Sequence, residues 1–341
     1  MRARSLVRRV TRERKKRMTT RRAVLCAGGL AALGLAPARA QPYPARPLRL
    51  IVPYPPGGVG DTFGRALGEG LSAGLGQPVV IDNKPGGSQI IGAQAAAEAA
   101  ADGYTLFLGS VSSLAMNVAQ HASLPYDPLT SFAPVSLGFT SPLYLVVHPD
   151  VPVTSVRELI AYAKANPGKL SFASIGPGSS LHLAGEIFNR MAGLDMLHVP
   201  YKGSMPALTD IMAGRVQVIF DAGTSALPQV RAGRLRVLAV TSAERFSGTP
   251  DIPTIAESGL PGYDMTLWFG IVTRAGAPDA AIQTLSAAIG AVLDRSDLKA
   301  RFLDLGVQLS PSSPEAFRAL IAREVSRWTR IIRDEVKLEP Q

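Results

Sequence analysis

Two glycine-rich turns hold the residue types most able to do chemistry in this 341-residue chain. In the first, Leu48-Arg-Leu-Ile-Val-Pro53 runs into Tyr54-Pro-Pro-Gly-Gly-Val-Gly-Asp61, and a helix is predicted from Thr62. In the second, Leu170-Ser-Phe-Ala-Ser174 runs into Ile175-Gly-Pro-Gly-Ser-Ser180, and a helix is predicted from Leu181. A strand that turns directly into a helix leaves backbone N–H groups unpaired at the helix start, where the dipole favours an anion. Tyr54, Gly57, Gly58 and Asp61 are the candidates of the first turn, because paired glycines accept positive φ and let a ligand oxygen approach the backbone. Asp61 is also the natural N-cap, a structural role that competes with ligand contact. Gly178, Ser179, Ser180 and His182 are the candidates of the second turn; its hydroxyls can donate to a carboxylate without introducing a charge. Two such turns predict a pair of jaws for something small and negatively charged.

Other chemistries fit less well. A dinucleotide fingerprint needs G-x-G-x-x-G, and Gly58-Val-Gly60-Asp-Thr-Phe63 lacks the third glycine. Ser179 or Ser180 with His182 suggests a hydrolase, but no G-x-S-x-G elbow surrounds them. His121, His148, His182 and His198 are scattered; His182 and Glu186 share a helix face without an H-E-x-x-H pattern, so no metal and no cofactor are expected. Further candidates follow the ends of predicted strands, where ligands sit in open α/β sheets. They are Ser110 and Asn117, in a polar cluster with Ser112 and Ser113, then Tyr201, Asp221 and Trp268. Core packing is the competing reading of Tyr201 and Trp268. Lys202 is the only cation near these turns, which predicts an anion site built mainly of neutral donors.

The net charge of +10 misrepresents the folded part. Residues 1–40 hold twelve Arg or Lys against the single acid Glu13, so that segment carries +11 and the remainder −1. The basic run precedes an apolar stretch over 23–35 and the small-x-small site Ala38-Arg39-Ala40, which together predict an export signal cleaved near Ala40. The apolar stretch is too short to span a bilayer, which takes about twenty residues. Thr20-Arg21-Arg22-Ala23-Val24-Leu25 resembles a twin-arginine signal, a general secretion signal being the alternative, and Met18 is a second candidate start. This context excludes a polybasic nucleic-acid arm. The only cysteine, Cys26, falls inside the signal, so the mature chain has no disulfide and no thiolate metal site. No later segment has the length of a membrane span, and no membrane insertion of the mature chain is expected.

Outside the turns, short apolar runs alternate with helical patterns, which predicts an α/β fold with largely parallel sheets. Strands are predicted over 48–53, 79–82, 105–108, 143–148, 170–173, 197–199, 216–220, 237–240 and 266–272. Helices are predicted over 62–71, 90–100, 155–165, 181–191, 207–213, 280–293 and 314–336. The strands at 143–148 and 266–272 bracket a self-contained block, so the chain is expected to leave one lobe through the first and return through the second. That gives an export signal over 1–40, a discontinuous first lobe over 41–145 plus 265–341, and a second lobe over 146–264. Two α/β domains joined by two crossover strands, with the ligand cleft between them, are expected to close by hinge motion.

The motifs carry a family resemblance over essentially the whole mature chain. Tyr43-Pro-x-Arg46-Pro-Leu-Arg-Leu-Ile-Val-Pro-Tyr-Pro-Pro-Gly-Gly58 with Asp61, Val80-Ile-Asp-Asn-Lys-Pro-Gly-Gly87 and Ala101-Asp-Gly-Tyr-Thr105 are its first half. Gly178-Ser-Ser-Leu-His-Leu-Ala184, Val199-Pro-Tyr-Lys-Gly203, Gly214-Arg-Val-Gln-Val218 and Trp268-Phe-Gly270 complete it. The chain resembles the extracytoplasmic solute-binding receptors of tripartite tricarboxylate transporters, the Bug family. The resemblance implies a two-lobe periplasmic binding protein of type II. It implies a small organic carboxylate held between the 54–61 and 176–182 turns by amides, hydroxyls and water, and a two-subunit integral membrane permease as partner. A monomer without enzymatic activity is expected. The alternatives are an exported hydrolase using Ser179 or Ser180, and a ligand sensor feeding a signalling system. Which carboxylate is bound is not legible.

Overall fold

The computed structural model describes residues 43–57 and 59–336, so the expected export signal, with Cys26, and Gly58 lie outside the described residues. Strand β1 (Leu48–Val52) buries Leu48 and Leu50 to Val52 and is flanked in parallel by β2 (Val79–Asn83) and β3 (Thr105–Ser110). Helix α1 (Val59–Leu75) crosses from β1 to β2 and α2 (Ile90–Ala97) from β2 to β3. After β3 the chain forms a π-helical turn (Ser112–Met116) and the short helix α3 (Asn117–Gln120). The long strand β4 (Phe132–Val147) follows, and almost every residue of it is buried.

Beyond β4 come α4 (Val156–Ala165), β5 (Ser171–Ser174), α5 (Ser180–Ala192), β6 (Leu197–Pro200) and α6 (Ser204–Met212). Then follow β7 (Val218–Ala222), α7 (Gly223–Arg231) and β8 (Arg236–Val240). Here β5 is parallel to β6 and β7. The start of α4 is capped as the Ser155 and Glu158 spacing predicts: Ser155 Oγ accepts from Glu158 N at 3.2 Å, and Glu158 reaches back to Thr154 N at 2.6 Å. The chain returns through β9 (Thr266–Arg274) and ends with α8 (Asp279–Leu293), α9 (Ser296–Leu303), β10 (Gln308–Leu309) and α10 (Pro314–Arg330).

Among the described residues the strand order is β2-β1-β3-β9-β4-β7-β5-β6, with β8 and β10 added on β4. The expectation of largely parallel sheets is corrected by β4 and β9. These pair antiparallel with each other, and β9 also runs antiparallel to β3 while β4 runs antiparallel to β7 and β8. Strand β4 does two jobs: residues 132–142 pair with β9, and residues 143–147 pair with β7 and β8. Thr241 ties this junction to the returning chain, because its Oγ1 accepts from Leu143 N at 2.8 Å and donates to Met265 O at 2.8 Å.

Candidate functional site

Helix α1 starts at Val59, earlier than the Thr62 read from sequence, so Asp61 stands inside its first turn rather than capping it from outside. Its carboxylate still satisfies loop donors. Oδ2 accepts from Gly57 N at 3.0 Å and from Arg65 Nε at 2.9 Å, while Oδ1 accepts from Asn83 Nδ2 at 2.9 Å. Asn83 Nδ2 also donates to the Tyr54 carbonyl at 3.0 Å. Burial alone would raise the Asp61 pKa, but Arg65, Gly57 N–H and Asn83 outweigh it and hold the group below the usual carboxylate range. Asp61 is therefore the post on which the first loop hangs. Gly57 takes φ +93°, the left-handed region that the paired-glycine reading requires.

The polar cluster after β3 is a helical segment that braces the first loop. Ser110 Oγ donates to Gln89 Oε1 at 2.8 Å and accepts from Ser112 N at 3.2 Å, and Gln89 Nε2 donates to Tyr54 Oη at 2.7 Å. Asn117 is fully buried, its Nδ2 donating to Ser88 O at 3.0 Å and Tyr126 Oη at 3.3 Å. Both predicted residues, Ser110 and Asn117, thus have side chains committed to the wall. Asn117 Oδ1 has no partner among the described residues.

The second loop is ordered from within. Gly176 and Gly178 take φ +119° and +73°. Ser179 is the N-cap of α5: its Oγ accepts from His182 N at 3.2 Å and donates to Gly176 O at 2.7 Å. The ring of His182 accepts from Gly178 N at 3.1 Å through Nδ1 and faces Glu186 at 3.4 Å through Nε2. Ser179, Gly178 and His182 therefore hold the loop's shape. Among the described residues, the N–H groups of Ser180 and Leu181 and the Ser180 hydroxyl have no partner, and neither do the N–H groups of Val59 and Gly60 at the start of α1. Each helix thus presents open donors at its positive end. Gln120 of α3 donates from Nε2 to Gly178 O of the second loop at 2.7 Å, and Asn117 of the same helix holds Ser88, next to the Gln89 that bonds Tyr54.

The remaining candidates divide. Tyr201 donates to Asp210 Oδ2 at 2.9 Å, and burial, helped by that carboxylate, pushes its phenol up to about 12. Asp221 is fully buried and accepts from Ser204 Oγ at 2.7 Å, Ser225 Oγ at 2.7 Å and Ala222 N at 2.9 Å; burial raises its pKa against these donors. Trp268 has a packing role. It meets Phe317 edge to face at 5.8 Å, and its indole N–H donates to the buried Glu324 at 3.3 Å, which also accepts from Trp328. Lys202 is exposed. No group of His, Cys, Asp and Glu fit to hold a metal ion occurs among the described residues. Gln89, Gln120 and Asn83 were not among the sequence candidates; the Val80–Gly87 motif, which contains Asn83 and ends two residues before Gln89, was the signal that could have found two of them.

Under the second loop the rings of His182 and His198 lie 4.0 Å apart, tilted by 34°, and Ser174 Oγ lies 2.6 Å from His198 Nε2. Burial, then the neighbouring His182, lower the His198 pKa to about 4, against a smaller opposing pull from Glu186. The unfolded chain keeps the ordinary value near 6.5, so it binds more protons between the two. This contribution to stability is complete above pH 6.5 and is lost as the pH falls toward 4. Melting curves from pH 7 to 4 should show that decline, and His198→Gln should flatten it. An unchanged acid slope in the variant would place the titrating group elsewhere.

A mixed α/β sheet with two open-ended helix starts is the build of a solute-binding protein, and solved structures of that class align with the chain. A profile describing tripartite tricarboxylate transporter family receptors matches residues 63–337, and the chain belongs to that family. It is 38% identical over 300 residues to protein BugT of Bordetella pertussis, covering 88% of this chain and 92% of that one. It is also 38% identical to a protein from the tcbD-tcbE intergenic region of Pseudomonas sp. strain P51, covering 86% and 88%. An R. palustris protein solved with adipate aligns at TM-score 0.81 and 35% identity, covering 88% of this chain and 100% of that one. MatC of Rhodopseudomonas palustris, solved with malate, aligns at TM-score 0.76 and 32% identity, covering 85% and 99%. The periplasmic binding protein BugD aligns at TM-score 0.78 and 32% identity, covering 88% and 100%. No helix among the described residues is long and apolar enough to cross a membrane.

Proposed function

We propose that this protein is an exported periplasmic receptor that captures a small organic carboxylate between its two loops and delivers it to a two-subunit membrane permease. The observation that carries the reading is the pair of helix starts with open donors, Val59 and Gly60 on α1 and Ser180 and Leu181 on α5. The carboxylate bridges them, with Tyr54, Gly57, Gly58 and Ser180 as contacts. Asp61, Asn117, Gly178, Ser179 and His182 shape the walls. Residues 43–145 with 265–336 form one lobe and residues 146–264 the other, hinged where Thr241 joins β4 to the segment before β9. Closure needs only a ligand that binds the closed state better than the open one. The adipate and malate held by two relatives support this ligand class.

No covalent step is part of the reading. The Ser179 hydroxyl donates to Gly176 O and meets His182 through its backbone N–H rather than its ring, so the pair lacks the contact that activates a nucleophile. A thermal-shift screen of the mature chain against malate, adipate and other organic acids tests the function, since a ligand of the native state raises its melting temperature. A shift is expected with at least one carboxylate and none with the matching alcohols. No shift with any acid would overturn the proposal. Ser179→Ala should lower stability by about 1 kcal/mol through the lost cap and weaken binding with it. Full affinity in that variant would show the loop keeps its shape without the cap.

A further inference from the structure

Gln120 ends α3, and Gly178 lies in the second loop, so their contact joins the two lobes at a distance from the β4 and β9 crossover. Gln120 Nε2 donates to Gly178 O at 2.7 Å. A carbonyl oxygen only accepts, so the amide presents its nitrogen there and the direction of the bond is fixed by chemistry. Both partners are buried, Gln120 being 4% exposed. The approach is close as well as polar. A Cβ on Gly178 would stand 3.2 Å from Gln120 Oε1 and 3.4 Å from its Cδ, so the amide fills the space that a side chain at 178 would take.

Each partner is tied to its own lobe. Helix α3 is held by Arg333, whose Nη2 donates to Val118 O at 3.2 Å, and by Asn117, which donates to Ser88 O at 3.0 Å. Gly178 is held through its own N–H, on His182 Nδ1 at 3.1 Å. At the crossover the lobes share other bonds: Thr241 with Leu143 and Met265, Tyr144 Oη with Thr249 Oγ1 at 3.2 Å, and Arg327 with Asp264 O at 2.6 Å. A hinge leaves bonds at its axis nearly unchanged and breaks those that span the cleft. Opening therefore parts Gln120 from Gly178 and lets water satisfy both. In the closed arrangement neither has water to turn to, so losing one partner leaves the other buried and unpaired.

We propose that Gln120 is a positioning residue for carboxylate capture: by bonding Gly178 O it draws the second loop against the first lobe and favours the closed state before a ligand arrives. The open donors of Ser180 and Leu181, which follow that loop, are carried with it. Gln120 touches the loop and not the ligand. This rests on the two-lobe receptor reading above and deepens it. Part of the closing free energy belongs to the chain itself, so affinity for any carboxylate scales with the fraction already closed.

The test measures the separation of the lobes directly. The chain has no cysteine after residue 40, so spin labels can be attached at Ile91→Cys and Met205→Cys, exposed positions in the first turns of α2 and α6, one in each lobe. Without ligand, Gln120→Ala should lower the closed-to-open ratio about fivefold and populate a longer separation. Gln120→Glu keeps the shape of the side chain but sets a charged acceptor against the Gly178 carbonyl, so it should lower the ratio further. Calorimetry with malate and adipate should show each acid that binds losing affinity to Gln120→Ala by the factor by which the closed fraction falls. Unchanged separations in both variants would overturn the latch. So would an affinity loss that departs from the fall in closed fraction, which would make Gln120 a ligand contact. Failure of the wild-type protein to bind either acid, with the separations shifting as expected, would overturn the carboxylate reading and leave the latch standing.

Discussion

Gly270→Ala should destabilise the protein by about 3 kcal/mol, read as a lower urea midpoint, although it adds one methyl group. Gly270 lies in β9 where that strand is paired on both sides, to Gly109 of β3 and Leu137 of β4. A Cβ there would stand 2.2 Å from Phe317 Cζ, 2.6 Å from Phe317 Cε1 and 2.8 Å from Ser136 O. Phe317 is fully buried and packed on Trp268, so its ring has nowhere to turn. The Ser136 carbonyl belongs to β4 and can move only if the register between β4 and β9 moves. That register includes two irregularities, between Pro134 and Ser136 and between Leu137 and Phe139, which already absorb mismatches on either side of the Gly270 pairing. Gly290 is the internal control. It lies within α8 with nothing within 4 Å of a Cβ, and alanine there should stabilise the helix slightly. Equal midpoints for the two variants would show that the sheet yields more easily than its packing implies.

The packing around Gly270 also shows what Trp268-Phe-Gly270 does within the fold. Its residues interlock β9 with α10, and the indole of Trp268 finds its acceptor in Glu324. An apolar strand carrying a tryptophan gives no sign in sequence of which face meets the ligand. The strand–turn–helix units were legible because strand, glycines and helix are contiguous: β1 with α1 and β5 with α5 fall where the pattern puts them, within a few residues. The first part of β4 was not legible, because Pro134, Ser136, Gly138 and Pro142 break its apolar run. Its pairing partners, β9 and β10, lie more than a hundred residues away. Helix α7 was hidden by Pro228. The segment after β3 read as a polar cluster because its serines face inward, where Ser113 Oγ accepts from Ser110 N at 3.0 Å. Gln89 and Gln120 were invisible for another reason: a glutamine has meaning only once the tertiary fold places a partner at each end of it.

The second large effect is expected at Asp61. Asp61→Ala should weaken carboxylate binding by about 2–3 kcal/mol, some 30- to 150-fold by titration calorimetry, and lower stability by about 2 kcal/mol. The carboxylate is 3% exposed and joins three donors from three parts of the chain: Gly57 N of the loop, Arg65 of α1 and Asn83 at the end of β2. Alanine leaves Gly57 N–H without its acceptor and Asn83 Nδ2 with the Tyr54 carbonyl alone, so the loop has no fixed reason to keep φ +93° at Gly57. The open donors of Val59 and Gly60 then lose their aim, which costs affinity rather than fold. Asparagine should rescue only in part, since its amide offers one accepting oxygen where two are in use. The Asp61 pKa is lowered in the folded protein, so its contribution is complete above the ordinary carboxylate value and is lost as the pH falls through the folded one. The acid limb of the stability curve should therefore be shallower in Asp61→Ala than in wild type. A variant that binds like wild type and keeps the wild-type acid limb would mean that Arg65 and Asn83, not the carboxylate between them, set the loop.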